Sequence, residues 1–218
     1  SPTRIPSGRR AGASLRTSAH PQAARYVELP RTGLYRVRFD APAAARVIPT
    51  AAHSGSAFWW SDRADGMDSA ITREVDLGAF RATTISFWTW FDIEKDFDYG
   101  YLAAATDGGK RWTTLATPAM TSADPNGNNL GHGLTGMSGN ADPPVWVQQR
   151  ADLTAFAGKK VLLRFEHVTD GALNSAGFAI DDIQVPEAGF VDDAEGDTGW
   201  EAKGFVRTAN QLPQPHAV

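Results

Sequence analysis

Residues 83–113 read TTISFWTWFDIEKDFDYGYLAAATDGGKRWT, and a shorter echo, SAGFAIDDIQV, spans 175–185. Successive side chains of an extended strand point to opposite faces. Phe87 and Phe91 therefore fall on one face of the first strand, and Trp88 and Trp90 on the other. A strand with no polar face needs cover on both sides, which predicts an interior strand of a β-sandwich rather than a solvent-facing meander. The acidic stretch 92–98 is read as a short connection to a second aromatic strand, the two forming a hairpin at the centre of an all-β domain.

Working outward, ATDGGKRWTTL at 105–115 partly matches an Asp-box turn at Asp107, Gly109 and Trp112. There Asp accepts backbone amides, Gly takes a positive φ and Trp caps the hairpin, so the expected role is structural. Upstream, AFWWSDRADGMDSAITREVDL at 57–77 gives a short aromatic strand, an acidic loop and a strand through Ile71, Arg73, Val75 and Leu77. Asp62, Asp65 and Asp68 recur at three-residue spacing around Gly66. Two readings stay open: a simple turn, because Asp caps backbone amides, or a calcium loop, because hard cations collect carboxylate and carbonyl oxygens. Further upstream, 26–29 and LYRVRFD at 34–40 alternate around a Pro30 to Gly33 turn signal and predict another hairpin.

Downstream, 118–144 is a long Gly-, Asn- and Pro-rich loop anchored by Leu130, Leu134 and Met137. Such loops are either functional or tolerated insertions, and the residues favour neither reading. Strands are expected again at 145–151 and 160–168, joined by a turn in which Leu153 and Phe156 pack inward. In a regular strand at 176–185, Asp181 shares a face with Ile183 and Val185, and Asp182 shares one with Phe178 and Ile180. One carboxylate then meets apolar neighbours, where it must be protonated, paired or metal-bound. Arg164 or Arg150 offers the pairing solution; a bound Ca²⁺ shared with the acidic loop is the other.

The chain has 218 residues and no Cys, which excludes disulfides, thiolate metal sites and a cysteine nucleophile. A net charge of -4 with 21% charged residues does not favour a nucleic-acid partner. There is no run of about 18 apolar residues and no signal-peptide-like apolar core at the start, so a soluble chain without a membrane span is expected. Seven Trp and an aromatic content of 10% supply large apolar surface for a core. His20, His53, His132, His167 and His216 form no H-E-x-x-H helix and no close ligand spacing, and no G-x-S-x-G elbow or phosphate loop occurs. The crowded Asp92, Glu94, Asp96 and Asp98 read as a solvated turn before they read as a glycosidase pair.

Taken together, FWWSDRADGMDSAITREVDL, SFWTWFDIEKDFDYGYLAAATDGGKRWTTL and DLTAFAGKKVLLRFEHVTDGALNSAGFAIDDI resemble the β-sandwich region downstream of the catalytic domain in immune inhibitor A-type peptidases. These are secreted bacterial zinc metallopeptidases of the M6 kind. The resemblance implies a jelly-roll β-sandwich of two antiparallel sheets, similar to MAM and galactose-binding-like domains. It also implies a noncatalytic accessory domain, secreted or at the cell surface, whose partner is the catalytic or a neighbouring domain of the same polypeptide. The zinc helix is missing, so proteolysis does not carry over. Jelly rolls of this type hold a structural calcium where an early loop meets the final strand, which maps to Asp62, Asp65, Asp68, Glu94, Asp181 and Asp182. The expected organisation is an irregular leader or linker at 1–25, the sandwich at 26–187, and an extension at 188–218 that adds edge strands or starts another module. The alternative function is a carbohydrate-binding module presenting Trp to a glycan, with a cell-surface protein as a further possible class of partner.

Overall fold

The computed structural model describes residues 3–4, 27–28 and 44–213. Two compact units are distinguished, Ser1–Pro42 and Ala43–Val218. In the first, β1 (Thr3–Arg4) pairs in parallel with β2 (Val27–Glu28). The hairpin expected over 26–40 lies mostly outside the described residues.

The second unit is built from β3 (Ala44–Ala45), β4 (Phe58–Trp60), β5 (Asp68–Asp76), β6 (Thr84–Ile93), β7 (Tyr99–Ala105), β8 (Thr113–Thr114), β9 (Gly136–Met137), β10 (Val147–Asp152), β11 (Lys160–Val168), β12 (Gly177–Val185), β13 (Phe190–Asp192), β14 (Glu201–Lys203), β15 (Val206–Thr208) and β16 (Leu212–Pro213). One large sheet has the order β10-β6-β12-β4-β15 and the other β14-β5-β11-β7-β8; every pair on these two paths is antiparallel. From β4 to β7 each strand lies in the sheet opposite its predecessor, and β10, β11 and β12 again alternate. That interleaving of two four-stranded cores is the jelly-roll topology. The segment after β12 adds β13 beside β12 and β15 beside β4 in one sheet, and β14 beside β5 in the other.

The aromatic strand that organises the sequence is interior and doubly covered. Ile85, Phe87, Phe91 and Ile93 enter the core between the sheets, with Leu102, Phe165, Phe178 and Trp200. Phe87 meets Phe165 edge-on at 4.8 Å between ring centroids. Each such fully buried side chain contributes roughly 1.5–3 kcal/mol. On the opposite face Trp90 joins a smaller core with Ile48, Phe58, Trp60, Ala176 and Ala179. The segment 46–57 lies across this second core as a strap. Asn210 holds its start, accepting from Val47 N and Ile48 N and donating to Ile48 O and Thr50 O. Glu195 holds its end through Ser56 N and Ala57 N.

The structure corrects two expectations of detail. β6 and β7 are not a hairpin: β6 pairs with β10 and β12, β7 with β11 and β8, so the acidic connection crosses from one sheet to the other. The true hairpin is β7–β8, turned by Asp107, which accepts from Lys110 N and Arg111 N while Gly108 and Gly109 sit at positive φ. In the long loop 118–144, Leu134 is buried but Leu130 and Met137 are exposed. Anchoring falls instead to Asn129, whose amide donates to Thr121 O and Ala123 O.

Candidate metal centre

Strand register assembles the site. In the second sheet Asp68, Val168 and Tyr99 stand in one row, at the start of β5, the end of β11 and the start of β7. The residues just beyond that row must therefore converge at one end of the sandwich. They are the 61–67 loop, the 169–175 loop and the 94–98 crossover. Hydrogen bonds stitch the three: Thr169 N donates to Met67 O, Gly66 N to Asp170 O, Asp170 N to an Asp98 carboxylate oxygen at 2.9 Å, and Asn174 Nδ2 to Asp65 Oδ1 at 2.6 Å.

At the junction, carboxylate oxygens of Glu94, Asp98 and Asp170 all lie within 4.8 Å of one another. Asp98 is buried, at 1% exposure. Burial pushes its pKa up to about 6; the Asp170 N–H works against that shift, and the nearby Asp170, Glu94 and Asp65 charges add to it. Among the described residues no Lys or Arg forms an ion pair with any of the three. Several carboxylates crowded together without a counter-charge are an unfavourable arrangement that a hard divalent cation relieves, and Ca²⁺ is bound by such oxygen sets on loops. The donor set therefore fits a metal ion.

The expected ligands are distributed as follows. Glu94 lies in the cluster, and Asp65 is close enough for its charge to act on Asp98. Asp62 caps its own loop through Arg63 N, and Asp68 lies on β5 beside Glu166. Asp181 and Asp182 sit elsewhere, under the strap. A bulge between Asp181 and Gln184, with Asp182 at φ 48°, shifts the side-chain alternation by one. Phe178, Ile180, Ile183 and Val185 consequently all enter the main core, and Asp181 turns to the other face. Its partners are neither Arg164 nor Arg150. Its carboxylate accepts from His53 N at 3.0 Å, Ser54 N at 3.1 Å and Asp182 N at 2.8 Å. Asp182 binds His53 Nδ1 at 2.6 Å and Ser54 Oγ at 2.7 Å, and the imidazole stacks on Trp88 at 3.8 Å. Burial raises the Asp181 pKa to about 6, partly offset by the Ser54 N–H.

Sequence reasoning missed Asp98 and Asp170. The signal was their position: Asp98 immediately precedes β7 and Asp170 follows β11 by two residues, and the register sets those strands side by side. One further pair has the composition of a catalytic dyad, Ser61 Oγ and His167 Nδ1 at 2.9 Å. Both residues are buried, and Ser61 Oγ also accepts Phe178 N. Burial lowers the His167 pKa to about 4, which keeps the ring neutral inside the core.

Fold and site thus define an all-β jelly-roll module with an acidic cluster at one end. The model of the family described as immune inhibitor A-like, MAM domain matches residues 30–210, most of the chain, and the chain belongs to that family. It is similar to pre-pro-metalloprotease PrtV of Vibrio cholerae serotype O1, 33% identical over 156 residues, covering 70% of this chain and 16% of that protein. It is also similar to immune inhibitor A of Bacillus thuringiensis subsp. alesti, 27% identical over 190 residues, covering 85% of this chain and 25% of that protein. Bacillopeptidase F of Bacillus subtilis matches more locally, 24% identical over 99 residues, or 45% of this chain and 5% of that protein. The chain therefore spans a quarter or less of the length of these curated relatives.

Proposed function

We propose that this chain is a noncatalytic accessory domain of a secreted M6-type metallopeptidase, stabilised by a calcium ion at Glu94, Asp98 and Asp170, and that it packs on or targets the catalytic domain. The observation that carries the peptidase link is the alignment: a sandwich-sized piece of the chain corresponds to a minor part of relatives named as a metalloprotease and as immune inhibitor A. The calcium assignment rests on three clustered carboxylates, one of them buried, with no basic ion-pair partner among the described residues. Asp65, beside Asp98, is the further ligand candidate.

Calcium bound to the native state alone adds RT ln(1 + [Ca]/Kd), about 2.7 kcal/mol at a hundredfold excess over Kd. The purified chain should therefore melt higher in calcium than in EDTA, and Asp98→Asn should erase the difference. Identical melts with no calcium found by elemental analysis remove the metal assignment. Hydrolysis of casein by the purified chain, free of contaminating peptidase, removes the noncatalytic one.

The carbohydrate reading has less support. Trp59, Trp60, Trp90 and Trp200 are buried. Trp112 lies under the Arg164 guanidinium at 3.9 Å, Trp88 under His53, and Trp146 packs edge-on against Phe58 and His53. Sugar platforms need an open ring face; four of the seven Trp offer none, and Trp88 and Trp112 each have one face covered by a neighbouring side chain.

A further inference from the structure

The loops around the acidic cluster carry large apolar side chains that the fold leaves outside its cores. Phe97 is 38% exposed, Leu130 67% and Leu173 75%. These three belong to loops tied to one another: Asn128 Nδ2 donates to Phe97 O, Asn126 Nδ2 to Asp96 O, Asp170 N to Asp98, and Ala172 N to Asp170 Oδ1. Leu173 sits at φ 62°, a conformation unfavourable for a side chain of its size, so its outward placement is held by the surrounding loop rather than by local preference. The setting is strongly acidic. Loops 62–67, 94–98, 121–133 and 169–174 hold Asp62, Asp65, Glu94, Asp96, Asp98, Asp124 and Asp170 against Arg63 and Lys95. One bound calcium would still leave this end negative.

Apolar side chains within a charged rim are the anatomy of a protein interface, and the sign of the rim selects the partner. An anionic lipid surface is disfavoured by that charge. We propose that this loop end, with Leu173 and Phe97 exposed in its loops and Leu130 beside Tyr101 on the adjoining loop, is the face that docks onto a basic surface of another domain of the same polypeptide. The inference rests on the accessory-domain reading and supplies its contact face. Relatives four or more times as long as the matched segment have ample chain to provide such a surface.

The test uses the full-length parent polypeptide with a photo-crosslinking residue at position 173 or, as a control on another face, at position 206, where Val206 of edge strand β15 is 43% exposed. The expected result is capture of a Lys/Arg-rich peptide of the catalytic domain from position 173. Its yield should fall roughly threefold or more in about 0.5 M salt, since screening shortens the reach of charges. Asp62→Lys, an exposed change, should lower the yield in low salt. Capture from position 206 but not 173 overturns the assigned face while sparing the accessory reading. Capture from neither position overturns the docking face, while the accessory reading stands or falls on the calcium and casein assays above. Lipid adducts at 173, or a yield indifferent to salt and to Asp62→Lys, overturn the charge-selected docking.

Discussion

Asp98 and Asp181 are two buried carboxylates in one sandwich with opposite surroundings. Asp181 collects three backbone N–H donors, two from the strap and one from the bulge it precedes. Asp98 receives the Asp170 N–H and faces further carboxylates. Burial raises both pKa values to about 6, yet the two charges are managed differently. Under the strap the backbone supplies the compensation, and the carboxylate holds a segment in place. At the loop end acidic groups outnumber the donors, and the proposed calcium ion would supply the compensation.

The comparison is tested most severely by truncation. Asp181→Ala leaves three N–H groups without their acceptor, and the loss should be about 3 kcal/mol in chemical denaturation, with the calcium response intact. If Asp181→Ala instead abolishes that response, the assignments of the two sites are reversed.

Acidity gives the next largest effect. Each group has a folded pKa above its ordinary value of 3.8, so the native state holds its proton more tightly than the unfolded chain does. Without metal, each of these two groups should therefore contribute a loss of stability as pH rises from about 4 to about 6, on the order of 3 kcal/mol. Calcium should cancel the share due to Asp98 and leave the share due to Asp181. His167, held at about 4 by burial, contributes the opposite slope over this window, so the check is a difference: Asp98→Asn or Asp181→Asn with the same metal-free pH dependence as the parent chain contradicts the shift at that residue.

Asp98→Asn removes a charge from a crowded cluster, and metal-free stability near neutral pH should rise by about 1–2 kcal/mol while calcium stabilisation disappears. A destabilised variant that still responds to calcium would move the site elsewhere. Smallest is Gly109→Ala in the β7–β8 turn, where φ is 81° and a Cβ would lie 3.3 Å from the Trp112 ring. A loss of about 1 kcal/mol with unchanged calcium affinity by titration would separate this turn from the metal end.

Much of the architecture was legible because it follows from local pattern. Phe87 and Phe91 opposite Trp88 and Trp90 foretold a strand covered on both faces, and the Asp107 turn follows from three side chains close together in the chain. Glu94 was named through family resemblance, and it lies in the acidic cluster. Asp98 was read as part of a solvated acidic turn and Asp170 looks ordinary in its own loop; only β7–β11 pairing makes them neighbours. Asp181 was assigned to the wrong setting because a one-residue bulge reverses strand alternation, and period-two reasoning has no means of foreseeing it.

The sequence by itself determined the all-β class, the interior aromatic strand and the absence of thiol chemistry, since these depend on residue type and short-range periodicity. Tertiary structure alone decided that the acidic connection crosses between sheets, that Asp181 serves the strap, and that Glu94, Asp98 and Asp170 share one site. Those outcomes depend on strand register and a bulge, which are set by how the whole core packs and not by any one segment.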